Sequence, residues 1–251
     1  MSIELMPLRT LSRLVCVCAC LLLPMSATAS VVVDSTRLIY PAFEREISLR
    51  LSNSGSQPAL VQAWIDDGNV DAKPDDVDVP FVVTPPIARI NQDKGQSLRI
   101  AHTPGAEIPK DRESVFWLNV LDVPPLPSEQ ANNHMQMAFR TRLKLFFRPA
   151  NLPGSPVESA ENLQWSLAKS GGSSVLKVRN DGAFYVSFSS VEIKLKDGRS
   201  FEVQSHMLAP KSTTDFTLDQ ALTSSAIDGR VIYQWINDYG TTVRGEKKLH
   251  F

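Results

Sequence analysis

The 251-residue chain is poor in the groups that usually carry chemistry. Its only cysteines, Cys16, Cys18 and Cys20, sit close to the start, so the rest of the chain offers no thiol nucleophile and no disulfide. The four histidines, His102, His134, His206 and His250, are scattered, with no pair at metal-ligand spacing. Glycine (12) is outnumbered by proline (17), a balance that favours turns and edge strands over phosphate-cradling loops. No G-x-S-x-G elbow, H-E-x-x-H pair or G-x-x-x-x-G-K loop occurs. Gly171-Gly172, between Ser170 and Ser173, reads as a hairpin turn. Asp75-Asp76-Val77-Asp78 lacks the glycine and distal glutamate of a calcium loop and reads as a solvated one. A net charge of −1 excludes a broad electrostatic footprint for nucleic acid or anionic membrane. With 43% hydrophobic and 21% charged residues, a packed core is nonetheless expected.

Long apolar runs are also missing, except near the beginning. Arg9 and Arg13 precede an apolar stretch from Leu14 to Met25, and Ala27-Thr28-Ala29 comes next. This is the layout of a cleavable secretory signal peptide over residues 1–29, with Ser30 as the first residue retained. The stretch is short for a membrane span. A lipoprotein reading of Cys18 or Cys20 lacks a leucine three residues upstream.

From Ser30 onward, strand signals dominate the chain. Ile47, Leu49 and Leu51 alternate with Glu46, Ser48 and Arg50, the period of a half-buried strand, and Asn53-Ser54-Gly55-Ser56 breaks the run. Leu60–Ile65, Phe81–Thr84, Gln96–Ala101 and Val115–Leu121 read as further strands, the last closed by Pro124-Pro125. Val175–Arg179, Tyr185–Leu195, Arg199–His206 and Arg230–Ile236 continue the style, with Asp197-Gly198 marking a hairpin. Short strands at this spacing predict antiparallel sandwiches. The linker-like Asn151–Pro156 segment divides them into domains over residues 30–150 and 151–251, with no helix of useful length in either.

One element is unusual. Met135, Met137, Phe139, Leu143, Leu145 and Phe147 share one parity, while Gln136, Arg140, Arg142, Lys144 and Arg148 fill most of the other. A strand over residues 135–147 would extend roughly 43 Å, so one end is expected to overhang the core.

That strand, ending Leu143-Lys144-Leu145-Phe146-Phe147-Arg148-Pro149, resembles the last strand of the first domain in PapD-like periplasmic pilus chaperones. Similar pieces occur in order along nearly all of the chain after the leader. They are Asp34-Ser35-Thr36-Arg37, Gln62-Ala63-Trp64, Val83-Thr84-Pro85-Pro86, Phe116-Trp117-Leu118-Asn119 and Trp235-Ile236-Asn237-Asp238-Tyr239-Gly240. The resemblance implies an all-β protein of two immunoglobulin-like sandwiches in an L or boomerang arrangement. It also implies a non-enzymatic role, without ATP, cofactor or metal. In that role the chain binds pilus subunits in the periplasm by donor-strand complementation and passes them to an outer-membrane usher.

The resemblance further assigns residues. Met135, Met137 and Phe139 would fill the subunit's open groove, and Arg37 and Lys144 would anchor its terminal carboxylate. Simple alternation sets Lys144 on the face opposite Met135, so a twist or bulge is expected between them. Glu113, Arg148 and Asp238 would fix the domains against each other, and Pro58 and Pro85 would guard the usher-facing surface. The short Leu121–Met135 connection, containing Pro124, Pro125 and Pro127, resembles the short-loop branch whose clients are rod-forming pili. It is expected to be exposed. Exposed Met135, Met137 and Phe139 also suggest self-association of the free protein. The competing reading is an exported adhesin or structural surface component, which should carry its own complementing strand; none is visible at Ser30 or after Lys247.

Overall fold

The structure is a computed structural model that describes residues 31–105, 107–125, 136–170, 173–218 and 229–249. In the first half the strands are β1 (Val31–Val33), β2 (Arg37–Pro41), β3 (Glu46–Asn53), β4 (Ala59–Asp66), β5 (Phe81–Thr84), β6 (Ile87–Ile90), β7 (Gly95–His102), β8 (Ser114–Val123) and β9 (Phe139–Arg148). A short helix, α1 (Pro156–Glu161), leads into β10 (Gln164–Ser170), β11 (Ser173–Asn180), β12 (Phe188–Leu195), β13 (Ser200–Gln204), β14 (Ser212–Leu218), β15 (Gly229–Ile236) and β16 (Thr242–Lys248).

The first nine strands form two facing sheets, β1-β3-β7-β5 and β2-β9-β8-β4-β6. Alternation decides which residues meet between them. Leu49 and Leu51 of β3 and Leu98 and Ile100 of β7 pack against Val61 and Ile65 of β4, Leu118 and Val120 of β8, and Leu143 and Leu145 of β9. Tyr40 of β2 is fully buried; its hydroxyl donates to the Arg45 carbonyl at 2.9 Å and accepts from the His102 amide at 3.0 Å. The later strands run β10-β11-β14-β13-β12-β15-β16, with β13 joining two ladders that enclose Trp165, Leu176, Ile193, Phe216, Tyr233 and Trp235. The Asp-Gly hairpin closes as its residues predict, with Gly198 at φ 91° and the Leu195 amide donating to the Arg199 carbonyl at 2.9 Å. Ser170 pairs with Ser173 across the Gly171-Gly172 step. Asp75 and Asp76 lie in a single 3-10 turn, Pro74–Asp76. Among the described residues no three His, Cys, Asp or Glu side chains gather to hold a metal.

Three sequence expectations are corrected. The long strand begins at Phe139 rather than Met135, because its partner β8 ends at Val123 beside Pro124-Pro125 and leaves nothing to pair with earlier residues. Of the twist or bulge expected between Met135 and Lys144, no bulge occurs within β9, whose register with β8 runs unbroken from Ser114↔Phe147 to Asp122↔Phe139. The linker-like segment runs directly into α1, capped by Ser155, whose hydroxyl accepts from the Glu158 amide at 3.1 Å. Pro156 at the first helical position and Glu158 at the third complete a capping-box pattern. A fourth expectation needs trimming, since the strand expected from Tyr185 starts at Phe188. Val186 makes only an isolated bridge to Leu208, and the register slips between Phe188 and Ser190. The leader, Met135, His134, His250 and Pro127 lie outside the described residues.

Candidate functional site: a donor-rich cleft and an uncovered strand end

β9 changes character along its length. At its far end Leu143 and Leu145 are 2% and 0% exposed, whereas Phe139, its first residue, and Met137, two positions before it, are 57% and 55% exposed. All four belong to one parity. Phe139 and the preceding Met137 have no opposing sheet to cover them, so two large apolar side chains stand in water at the head of a strand whose continuation is core.

The other parity carries cations. Arg140 stacks over Trp64 at 4.8 Å and Arg142 over Trp117 at 4.5 Å. Arg142 also pairs with Asp66, a fully buried carboxylate that accepts from Asn119 Nδ2 and the Gly68 amide, each at 2.7 Å. Burial pushes the Asp66 carboxyl up, but these donors outweigh it and hold the group below its ordinary value. Lys144 continues the row, with Nζ 5.7 Å from the Trp117 ring centre.

Lys144 is met there by Arg37. β2 is parallel to β9, and its register sets Arg37 directly beside Lys144. Parity alone therefore turns both cations towards the second domain. Arg37 Nη1 donates to the Ile236 carbonyl at 2.9 Å, and Lys144 Nζ donates to Ser187 Oγ at 3.1 Å. Arg37 Nε is buried without a partner. Neither cation has a carboxylate at ion-pair distance among the described residues. Burial lowers the Lys144 ammonium pKa, and the neighbouring Arg37 lowers it further. Burial likewise lowers that of Arg37, opposed by Asp238. Two desolvated cations held side by side without an anion are costly in a free protein, and they suit a ligand that brings a carboxylate.

The second charged group, by contrast, is complete. Arg148 Nε donates to Glu113 Oε1 at 2.8 Å, and its two terminal nitrogens reach Asp238 at 2.8 and 3.0 Å. Glu113 Oε2 accepts from the Tyr185 amide at 2.9 Å, and the Glu113 amide donates to the Ala183 carbonyl at 2.8 Å. Burial pushes the Glu113 carboxyl up, with Arg148 pulling the other way. Asp238 is presented by a tight turn in which Asn237 Oδ1 accepts from the Tyr239 and Thr241 amides. Gly240 closes that turn at φ 80°, where a Cβ would lie 2.5 Å from Thr36 Oγ1. Only glycine fits so near the segment carrying Arg37.

Pro58 and Pro85 are half-buried, on the segments that enter β4 and leave β5. Leu60 and Ile87 nearby are 47% and 57% exposed. Pro58 and Leu60 share a groove of about 670 Å³ with Pro124 and Pro125. The structure thus brings Arg37 to Lys144 and Arg148 to Glu113 and Asp238; Met137 and Phe139 stand apart on the opposite face. Sequence reasoning missed Ser187 and Asp66. An acid closing the apolar Ala63-Trp64-Ile65-Asp66 run was the one signal for Asp66; Ser187 had none.

Comparison with known proteins agrees with this architecture. The family described as "Pili and flagellar-assembly chaperone, PapD N-terminal domain" matches residues 30–153, and "Pili assembly chaperone PapD, C-terminal domain" matches residues 158–247. The probable fimbrial chaperone YadV of Escherichia coli K12 is 39% identical over 93% of this chain and 96% of its own. The chaperone protein FimB/FhaD of Bordetella pertussis is 43% identical over 86% of each. A crystal structure of the YadV chaperone superposes with a TM-score of 0.76 over 88% of this chain and 100% of its own. The Salmonella enterica SafB chaperone, solved in complex with the SafA pilin, is 27% identical with a TM-score of 0.73 over 89% of this chain and 98% of its own. The chain belongs to the PapD family of non-enzymatic pilus-assembly chaperones.

Proposed function

We propose that this protein works in the periplasm, where it holds pilus subunits by donor-strand complementation until an outer-membrane usher receives them. The observation that carries the reading is the division of β9 into a buried half and an uncovered half. Phe139 and the preceding Met137 are bare on one face, while the opposite face carries Lys144 beside Arg37, two cations without a carboxylate partner among the described residues. A subunit missing one strand exposes an apolar groove and unpaired backbone edges, and an extended strand with alternating apolar residues satisfies both. Met135 extends the same parity in sequence, and unbranched methionines adapt to varied pockets. Arg37 and Lys144 serve as the anchor for the subunit's terminal carboxylate, which fixes the register of the added strand. Glu113, Arg148 and Asp238 set one domain against the other. Pro58 and Pro85, with Leu60 and Ile87, form the surface that meets the usher. Residues 1–29 act as a cleaved export signal, and the bare strand end lets free copies associate with one another.

Affinity purification of the tagged protein from its native periplasm, with mass spectrometry of what co-elutes, tests this function. A stoichiometric small partner whose last strand alternates apolar residues is the expected outcome. Recovery of the chain without any subunit under pilus-forming conditions, or polymerised with itself beyond small assemblies of free copies, overturns the proposal.

A further inference from the structure

Beyond the two cations, the cleft contains a hydroxyl whose hydrogen has nowhere to go. Ser187 Oγ accepts from Lys144 Nζ at 3.1 Å, so its single hydrogen must point elsewhere, because an ammonium accepts nothing. No acceptor for it stands within reach among the described residues. The side chain is held in place: Ser187 is 3% exposed, and its carbonyl accepts from the Ile236 amide at 2.9 Å. On the preceding side Val186 exchanges two backbone hydrogen bonds with Leu208, at 3.0 and 2.8 Å. Two residues before Ser187, the Tyr185 amide is tied to Glu113.

Three groups here therefore have a hydrogen to spare, each besides a bond already made. Arg37 offers a buried, unpartnered Nε–H, and Lys144 offers the hydrogens not given to Ser187. A carboxylate is an acceptor only, with room for about four hydrogen bonds on its two oxygens. We infer that Ser187 is a third donor to the bound subunit's terminal carboxylate, contributed by the second domain. The inference rests on the reading of Arg37 and Lys144 as its anchor. Lys144 polarises the hydroxyl, which strengthens the bond Ser187 donates onward. Because Arg37 and Lys144 come from the first domain and Ser187 from the second, the full set of donors exists only while the two domains hold this mutual position. The grip on the chain terminus then reports whether the domains are correctly docked.

The test uses the full chain and a synthetic peptide copying the last strand of the co-eluting subunit, made with either a free carboxylate or a carboxamide terminus. Wild type should prefer the acid peptide. Ser187→Ala should weaken the acid peptide roughly tenfold or more, as expected for a hydrogen bond to a charged group, and weaken the amide peptide, which loses only a neutral hydrogen bond, by clearly less. Ser187→Thr, which keeps the hydroxyl, should restore most of the preference. Unchanged acid binding in Ser187→Ala, or equal loss for acid and amide, overturns the inference, provided Arg37→Ala and Lys144→Ala still lose acid binding. If those two variants bind as wild type does, the anchor reading itself falls. Circular dichroism of every variant separates lost contacts from lost folding.

Discussion

Replacing Arg148 with alanine removes the guanidinium that joins two carboxylates across the domain boundary. The two losses differ greatly in size. The Asp238 side chain is 34% exposed and regains water, which limits its share to about 0.5 kcal/mol. The Glu113 side chain is 2% exposed and cannot, so its uncompensated charge should cost about 3–5 kcal/mol. Contact with the Phe184 ring, 5.2 Å from the guanidinium carbon, adds about 0.5 kcal/mol. The Tyr185 amide still serves Glu113 Oε2 and moderates the loss, so about 3 kcal/mol is expected near neutral pH.

The pH dependence of that loss is diagnostic. The Glu113 carboxyl already titrates above its ordinary range because of burial, and losing Arg148 raises it further. A carboxyl raised in the folded state stabilises most when protonated, and this contribution disappears as pH rises through its folded value. Lowering the pH should therefore return up to about 1.4 kcal/mol per unit to the variant, while wild type gains less. Urea unfolding followed by tryptophan fluorescence at several pH values between neutral and mildly acidic reads the difference. Adding Glu113→Gln to the variant should flatten the dependence. A loss below about 1 kcal/mol that does not change with pH would refute the assignment of Glu113 as a buried, Arg148-dependent charge.

Other substitutions probe separate features. Lys144→Met removes a partly desolvated cation beside Arg37 and should stabilise the free protein by about 0.5–1 kcal/mol while abolishing subunit capture. The gap should close as the solution becomes alkaline enough to neutralise the lysine, and denaturant melts with a co-expression assay read both effects. Gly245→Ala drives a Cβ into the face of the Tyr233 ring. That ring is tied by its hydroxyl to the Ala160 carbonyl at 2.9 Å, so a cost of about 2–3 kcal/mol is expected in the same melts. Ser155→Ala removes the cap of α1 and should cost about 1 kcal/mol, with little effect if the helix is held only by its burial of Ala160.

Much of the architecture could be read from the residues because period-two alternation and burial report the same thing. Ile47, Leu49 and Leu51 marked β3, and Phe81–Thr84 marked β5, since each has one face on the core and one in water. β14 and β16 were missed: polar residues fill their outward positions, and β16 carries glycine and lysines where apolar residues would have signalled a strand. The start of β9 was misplaced for a different reason. Met135 and Met137 continue the apolar parity, but pairing depends on where β8 stops, which alternation within one strand does not encode. Arg37 beside Lys144 was reachable only through resemblance, because a parallel register between distant strands leaves no local trace. Ser155-Pro156-Val157-Glu158, however, was a legible helix start overshadowed by the prolines before it.

The parallel pairing of β2 with β9 has a consequence for timing. Arg37 opens the second strand of the chain, Lys144 lies in the ninth, and the carbonyl that steadies Arg37 belongs to Ile236, 199 positions away. No fragment that stops short of β15 can assemble this cleft, and a copy cut within the second domain loses part of it. If Arg37 and Lys144 hold a client's terminus as proposed, an incompletely folded chain lacks that grip, and competence arrives only with the last strands, so completion of the protein's own folding acts as its licence to bind.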